Sequence, residues 1–471
     1  MKRFRQFFFV FFVFLLVLKS LNIQVFAEPV IYAPAFVLME SDSGRILYAQ
    51  NEHQRMFPAA TTMILTAILA YEHLDMDRIY IAGNEVSSLP FDSARNHHEI
   101  GEAILGINLL RGMLIGAGND TANIVALNVS RVVSGEFDMS FVQAQQYFAE
   151  LMNERATELG AQNSRFINPH GYHHQNHTTT AYDMAQIARH AMSIPTIAEI
   201  AALPAFSGAM AGTNLRENLP EAINAQNPSL VNRSWRSPND LLHAGANFFA
   251  GANGLRTGRT NLAGDVLVAS AMRANINLIV VTMNSPFIND EPTRWRDAHN
   301  LFNHGFDNFA HRTLIADIAH IGIQNPRLGE DEYLEVFLYE PEFTQFLSHI
   351  EADSITAQVS WLDDVTVQYE DEWLVVPSIE EGQELGRVDY ILDGEVLNST
   401  TIHAARDVQE RSTASDINYY TDWVISTFFS RSAVPYWIAA ISVGALLTIA
   451  YFLLRNKIRE KKKHQKYKFR K

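Results

Sequence analysis

No cysteine occurs among the 471 residues. This excludes disulfide staples, a thiol nucleophile and cysteine-ligated metals. Lysine is absent over a longer stretch than composition alone reveals. None lies between Lys19 and Lys457, while residues 28–432 hold 23 arginines. No lysine in that interval can serve as a base, form a Schiff base or clamp a phosphate. An alkaline exterior is one reading of the bias. Lysine, with a pKa of about 10.4, begins to lose its charge there and arginine does not. Walker and dinucleotide glycine spacings are also missing around Gly116, Gly118 and Gly254. No nucleotide cofactor is therefore implied. No internal repeat and no low-complexity segment interrupts the middle of the chain.

The two ends differ from the rest. MKRFRQ precedes an apolar run of twelve residues, 7–18, too short to span a bilayer comfortably. With Ala27 before Glu28 as the cleavage point, segment 1–27 reads as a secretory signal peptide. Residues 433–454 form a 22-residue run without a charged side chain, with Tyr436 and Trp437 near one end. Such a run is long enough for one transmembrane helix. The tail 455–471 carries ten Lys or Arg against one Glu. The positive-inside rule then puts the tail in the cytoplasm and 28–432 outside. The whole chain has a formal charge of −15. Setting aside four positive charges at the N-terminus and a net nine in the tail leaves the outer region near −28. That balance argues against nucleic acid and against docking on anionic lipid.

Between these ends, AFVLMESDSGRILYAQ (35–50) predicts two strands around a turn at Asp42-Ser43-Gly44. A helical pattern runs from Ala59 to His73 behind Pro58, and further helices follow to Gly160, a C-cap residue. GDVLVASAMRANINLIVVTMNS (264–285) predicts two more strands. Strand pairs enclosing a helical middle point to an α+β domain over 28–311. From 312 to 405 apolar and polar residues alternate, rich in Val, Tyr and Thr, which predicts a small antiparallel β domain. Its aromatics read as core, and the domain as a spacer rather than a glycan reader. Segment 406–432 is a stalk leading to the apolar run.

Three short stretches carry chemistry. Active-serine acyl transfer uses S-x-x-K, with nucleophile and base one helical turn apart, then S-x-N and K-T-G. Here the stretches read PAATTMILT (58–66), GAGND (116–120) and GLRTGRTNLAG (254–264). Together with ESDSGRILYAQNEHQRMFPAA (40–60) and FINPHGYHHQNHTTTAYDMAQIARHAM (166–192), their order resembles the D-alanyl-D-alanine carboxypeptidases, low-molecular-weight penicillin-binding proteins of the peptidase S11 type. The resemblance covers residues 30–405. It implies a penicillin-binding/β-lactamase-like transpeptidase domain followed by the β domain, with a C-terminal transmembrane helix in addition. It also implies a peptidoglycan role outside a bacterial membrane.

The departures are systematic. Ala60 stands at the nucleophile position, Met63 at the base position and Ala117 at the second serine, so no catalytic set is intact. Asn119, Arg256, Thr257 and Gly258 keep the groups suited to holding a peptide and its carboxylate. The lysine-free exterior accounts for Arg256 but not for Met63 or either alanine. Thr61 and Thr62 are rotated about 100° and 200° from the direction of residue 60 on a helix, which disfavours a substitute nucleophile. The expected protein is an inactive relative that binds a stem peptide ending in D-Ala-D-Ala, or a cell-wall protein. A residual or metal-assisted carboxypeptidase and a scaffold that binds no ligand are the alternatives. For the metal, the histidines of NHHE (96–99) and HGYHHQNH (170–177) are the candidates, with loop histidine as the plain reading. No metal and no cofactor is expected.

Overall fold

The computed structural model describes residues 28–211, 231–315, 323–324, 333–334, 336–340, 342–363, 366–369, 372–375, 378–407 and 447–456. The signal-peptide segment 1–27, nearly all of the stalk and most of segments 433–454 and 455–471 lie outside the described residues. Residues 447–456 are helical. Among the described residues no helix is long and apolar enough to cross a membrane. The chain divides into two compact units, Met1–Ala310 and His311–Lys471.

In the first unit, β1 (Ala35–Glu40) and β2 (Ile46–Gln50) pair antiparallel as expected. The Glu40 carboxylate closes their turn by accepting from the backbone N–H of Asp42 at 2.9 Å and Ser43 at 2.7 Å. The chain then forms α1 (Met63–His73), β3 (Ile79–Ile81), β4 (Ala103–Leu105), α2 (Gly106–Leu114), α3 (Asn119–Ser134) and α4 (Phe141–Glu158). Helix α5 (Ala181–Ser193), α6 (Pro195–Ala201), β5 (Ala205–Ala209) and β6 (Asn232–Arg236) follow. Finally come β7 (Ala252–Thr260), β8 (Gly264–Arg273), β9 (Ile276–Ser285) and α7 (Arg294–Asn308). A capping box between Ser140 and Gln143 starts α4, and Gly160, with φ 84°, lies just past its end.

The main sheet has the order β2-β1-β9-β8-β7, all antiparallel. The first strands of the domain are therefore completed by its last, around the helical middle. The period of two in β1 and β9 splits their side chains between two layers. Val37, Met39, Ile279, Val281 and Met283 face a core shared with Met63, Ile68, Leu110, Val125 and Phe148. On the other side Leu38 and Leu278 lie against Gly305 of α7. Helix α1 is buried along Met63–Ala70, without a solvent face for its first two turns. Each large apolar side chain so enclosed contributes about 1.5–3 kcal/mol. The first turn of α1 is thus fixed by core packing, and edge strand β7 runs beside it.

The second unit is β-rich. Strands β10 (Val336–Leu338), β11 (Thr356–Trp361), β12 (Glu384–Leu392) and β13 (Glu395–Ala404) form an antiparallel sheet in the order β10-β13-β12-β11. Leu338, Val388, Tyr390 and Ile402 make its core.

Candidate functional site

The segment that would present a nucleophile keeps a strained backbone. Ala59 has φ 50°, and residues Ala59–Thr62 wind as a 3-10 turn before α1 begins at Met63. A left-handed alanine costs of order 1–3 kcal/mol unless its surroundings impose it. Two contacts do so here. Gly171, with φ +75°, lies so close that a Cβ on it would sit 1.7 Å from the Ala59 carbonyl oxygen. The Thr62 hydroxyl donates to that oxygen at 2.8 Å. His177 completes the support. Its Nδ1 accepts from the Ile167 N–H at 3.2 Å, so its Nε2 carries the proton and donates to Thr62 Oγ1 at 3.0 Å.

Neither threonine substitutes for the missing serine. Thr61 donates to the Pro58 carbonyl at 2.7 Å, and both threonines are fully buried. Ala60 itself is half-buried at the surface of this turn.

Strand β7 brings the third motif onto the first. A Cβ on Gly258 would lie 2.5 Å from the Ala60 nitrogen and 3.2 Å from its Cα, so only glycine lets the strand pass. Arg256 pairs with Val268 in the register of β7 and β8, and Val268 belongs to the core that encloses Met63. The Arg256 side chain follows it inward and is 1 % exposed. Its Nη2 lies 3.5 Å from the Met63 sulfur, while Nε and Nη1 have no partner among the described residues. Burial pulls its pKa down to about 10. A buried guanidinium facing only a thioether is an uncompensated charge in the protein interior. The neighbouring Thr257 hydroxyl is turned to the sheet and donates to the Val266 carbonyl at 2.9 Å.

The second motif is held by other partners. Ala117 also has a left-handed backbone, φ 62°, one residue ahead of Gly118, the N-cap of α3. Asn119, at the first position of that helix, donates from Nδ2 to Ser93 Oγ at 2.5 Å. Next to Ser93, Asp92 accepts from the Tyr172 hydroxyl at 2.9 Å. Loop 92–98 thus ties the second motif to the segment that carries Gly171. The Asp120 carboxylate adds to this by accepting from the N–H groups of Asn96 and His98, at 2.9 and 3.0 Å.

Beneath this loop lies a buried network that sequence reading did not find. Glu102 accepts from His98 Nδ1 at 3.0 Å and from Arg233 Nη2 at 2.5 Å. That leaves His98 Nε2 to accept from the Thr121 hydroxyl at 2.8 Å. Burial raises the Glu102 pKa, but the hydrogen bonds from His98 and Arg233 outweigh it and hold the carboxyl at about 2. Thr121, His98 and Glu102 have the connectivity of a nucleophile–base–acid triad. Thr121 and Glu102 are fully buried, however, and Thr121 Oγ1 also accepts from Asn96 Nδ2 at 2.8 Å. The Thr121 hydroxyl is committed to His98 and Asn96, and the network acts as a prop for the second motif. The signal available in the sequence was NHHE with Glu102 four residues after His98.

In the other cluster His170 and His177 are buried, whereas His173 is half-buried and His174 is exposed. His170 Nδ1 accepts from the Tyr172 N–H at 3.1 Å. Burial lowers the pKa of both His170 and His177 to about 3, with neighbouring imidazoles adding to the effect at His177. Among the described residues no group of three or more His, Cys, Asp or Glu is placed to hold a metal ion.

With this geometry established, the chain can be set beside known proteins. The family model of D-alanyl-D-alanine carboxypeptidases, peptidase S11, matches residues 23–286. The D-alanyl-D-alanine carboxypeptidase DacF of Bacillus subtilis is 26 % identical over 381 residues, covering 80 % of this chain and 86 % of that protein. DacA of Haemophilus influenzae is 26 % identical over 408 residues, 85 % of this chain and 90 % of that protein. Among solved structures, penicillin binding protein 5 of Haemophilus influenzae is 25 % identical. It superposes with a TM-score of 0.54 over 82 % of this chain and 99 % of that one. Motif order, fold and relatives agree, and the chain belongs to the D-alanyl-D-alanine carboxypeptidase family of cell-wall proteins.

Proposed function

We propose that this member of the family no longer hydrolyses D-Ala-D-Ala peptides and instead binds them, taking the terminal carboxylate at Arg256. The observation that carries the proposal is the Arg256 guanidinium, buried against Met63 with two donors unpartnered among the described residues. A hydrogen bond to a charged group contributes about 1.5–3 kcal/mol, so a carboxylate there gains what the thioether of Met63 cannot give. Loss of a hydrolase nucleophile costs about six orders of magnitude in turnover, which no binding group restores. Asn119 offers its amide to the peptide backbone once Ser93 is displaced. Gly258 leaves room for the chain along β7, and Thr257 contributes its backbone while its hydroxyl stays with Val266. The binding region would face the cell wall, held to the membrane by segment 433–454 with the basic tail inside. Protease added outside intact cells should then remove the large outer region and spare the tail.

The test is a full-chain assay with a pentapeptide ending in D-Ala-D-Ala. The peptide should bind, no D-alanine should be released with or without a chelator, and a fluorescent penicillin should leave no covalent band. Arg256→Ala should weaken binding by about 10- to 100-fold, the loss of one charged hydrogen-bond donor. Ser93→Ala should tighten it a few-fold by freeing the Asn119 amide. Release of D-alanine would overturn the reading. A second reading, a scaffold with an unused cleft, is favoured by the occupied amide of Asn119. Absence of binding, with cellular function untouched by Arg256→Ala, would establish it.

A further inference from the structure

Met63 and Arg256 meet across 193 residues of sequence, and each explains the other. Met63 opens α1 with its side chain fully enclosed. The Arg256 fork reaches to 3.5 Å from its sulfur, with Nε and Nη1 unpartnered among the described residues. A lysine at residue 63 would carry its ammonium two bonds beyond the point where the methionine sulfur lies. That charge would enter the volume that the guanidinium already fills, with no acidic group among the partners of either. Two unscreened cations in the core repel strongly. A thioether is a soft, weakly accepting neighbour of nearly the same shape, and it fits a cation without adding charge. The longer arm of arginine also spans ground that a lysine at residue 256 would leave open.

Building on the inactive reading of the cleft, we infer that Met63 and Arg256 are a matched pair. The third-motif guanidinium occupies the place of the first-motif base and locks the protein out of acyl transfer. Restoring the nucleophile and base positions while Arg256 stays should therefore fail. The arginine is the specificity-determining residue that keeps the site a carboxylate receptor.

Three full-length proteins test this with a fluorescent penicillin as the probe. The wild type should give no covalent band. The triple variant Ala60→Ser/Met63→Lys/Ala117→Ser should label at least 100-fold more slowly than the same variant with Arg256→Lys added. Equal labelling of the triple and quadruple variants would overturn the pairing, and so would a quadruple variant that does not label at all. A band on the wild type would instead overturn the inactive reading, whatever the variants do. Thermal melts provide the second measurement, free of chemistry. Met63→Lys alone should lower Tm at least twice as much as it does in an Arg256→Lys background. An equal drop in both backgrounds would mean that the two side chains do not interact, and the inference falls.

Discussion

The cleft and the layer of side chains beneath it are built to opposite standards. At the motif positions, Ala60, Met63 and Ala117 offer no group that moves a proton, and the buried Arg256 has two donors unpartnered among the described residues. One layer down, His177 supports Thr62, Thr62 supports the Ala59 carbonyl, and Glu102 holds His98 and Arg233. The backbone is left-handed at Ala59 and Ala117, and each of these residues carries only a methyl group. The difference teaches where each group acts. Supports are part of the folded core and their loss costs stability, whereas nucleophile and base contribute to turnover and little to folding.

The most severe way to break the comparison is to remove a support. Glu102→Ala leaves the Arg233 guanidinium and the His98 ring without their shared acceptor in a site where the Glu102 side chain has no exposure. Breaking such a pair costs about 3–5 kcal/mol. Denaturant unfolding of the full chain should show a loss of that size. A change below about 1 kcal/mol would mean that the network is no prop.

Acid comes next. His170 and His177 are neutral in the fold with pKa values of about 3, against 6.5 in the unfolded chain. Below pH 6.5 the unfolded chain binds more protons, so the stability these groups supply is complete above 6.5 and falls as pH drops toward 3. The slope is about 1.4 kcal/mol per pH unit for each ring. Glu102, lowered from 4.5 to about 2, adds a loss that begins below pH 4.5 and is complete as pH falls through 2. Unfolding curves at pH 7, 5.5 and 4.5 should follow the histidine slope, and His177→Gln should remove about half of it. A flat response between pH 7 and 4.5 would place both rings in water.

Much of this was legible in the residues. The strand pairs, the helical middle and the β-rich second unit follow from periodicity. Three things were not legible. The Glu102 network joins residues 98, 102, 121 and 233, and no local pattern encodes a contact of that span. The inward turn of Arg256 toward Met63 depends on the register of β7 on β8. The use of the Asn119 amide by Ser93 depends on how the 92–98 loop folds back. Each is decided by tertiary packing, which periodicity does not report.

The smallest expected effect is the sharpest. Ala60→Ser alone restores the hydroxyl at a half-buried position whose backbone is already set by Gly171, Thr62 and Gly258. One oxygen on a surface turn changes stability by no more than about 0.5 kcal/mol. The hydroxyl would still have no base. The side chain one turn along is a thioether, the Thr62 hydroxyl is committed to Ala59, and His177 has spent its lone pair on the Ile167 N–H. Penicillin should leave this variant unlabelled while its melt matches the wild type. A covalent band would reveal a proton acceptor that neither layer contains, and the separation between an emptied cleft and an intact support would fail at its simplest point.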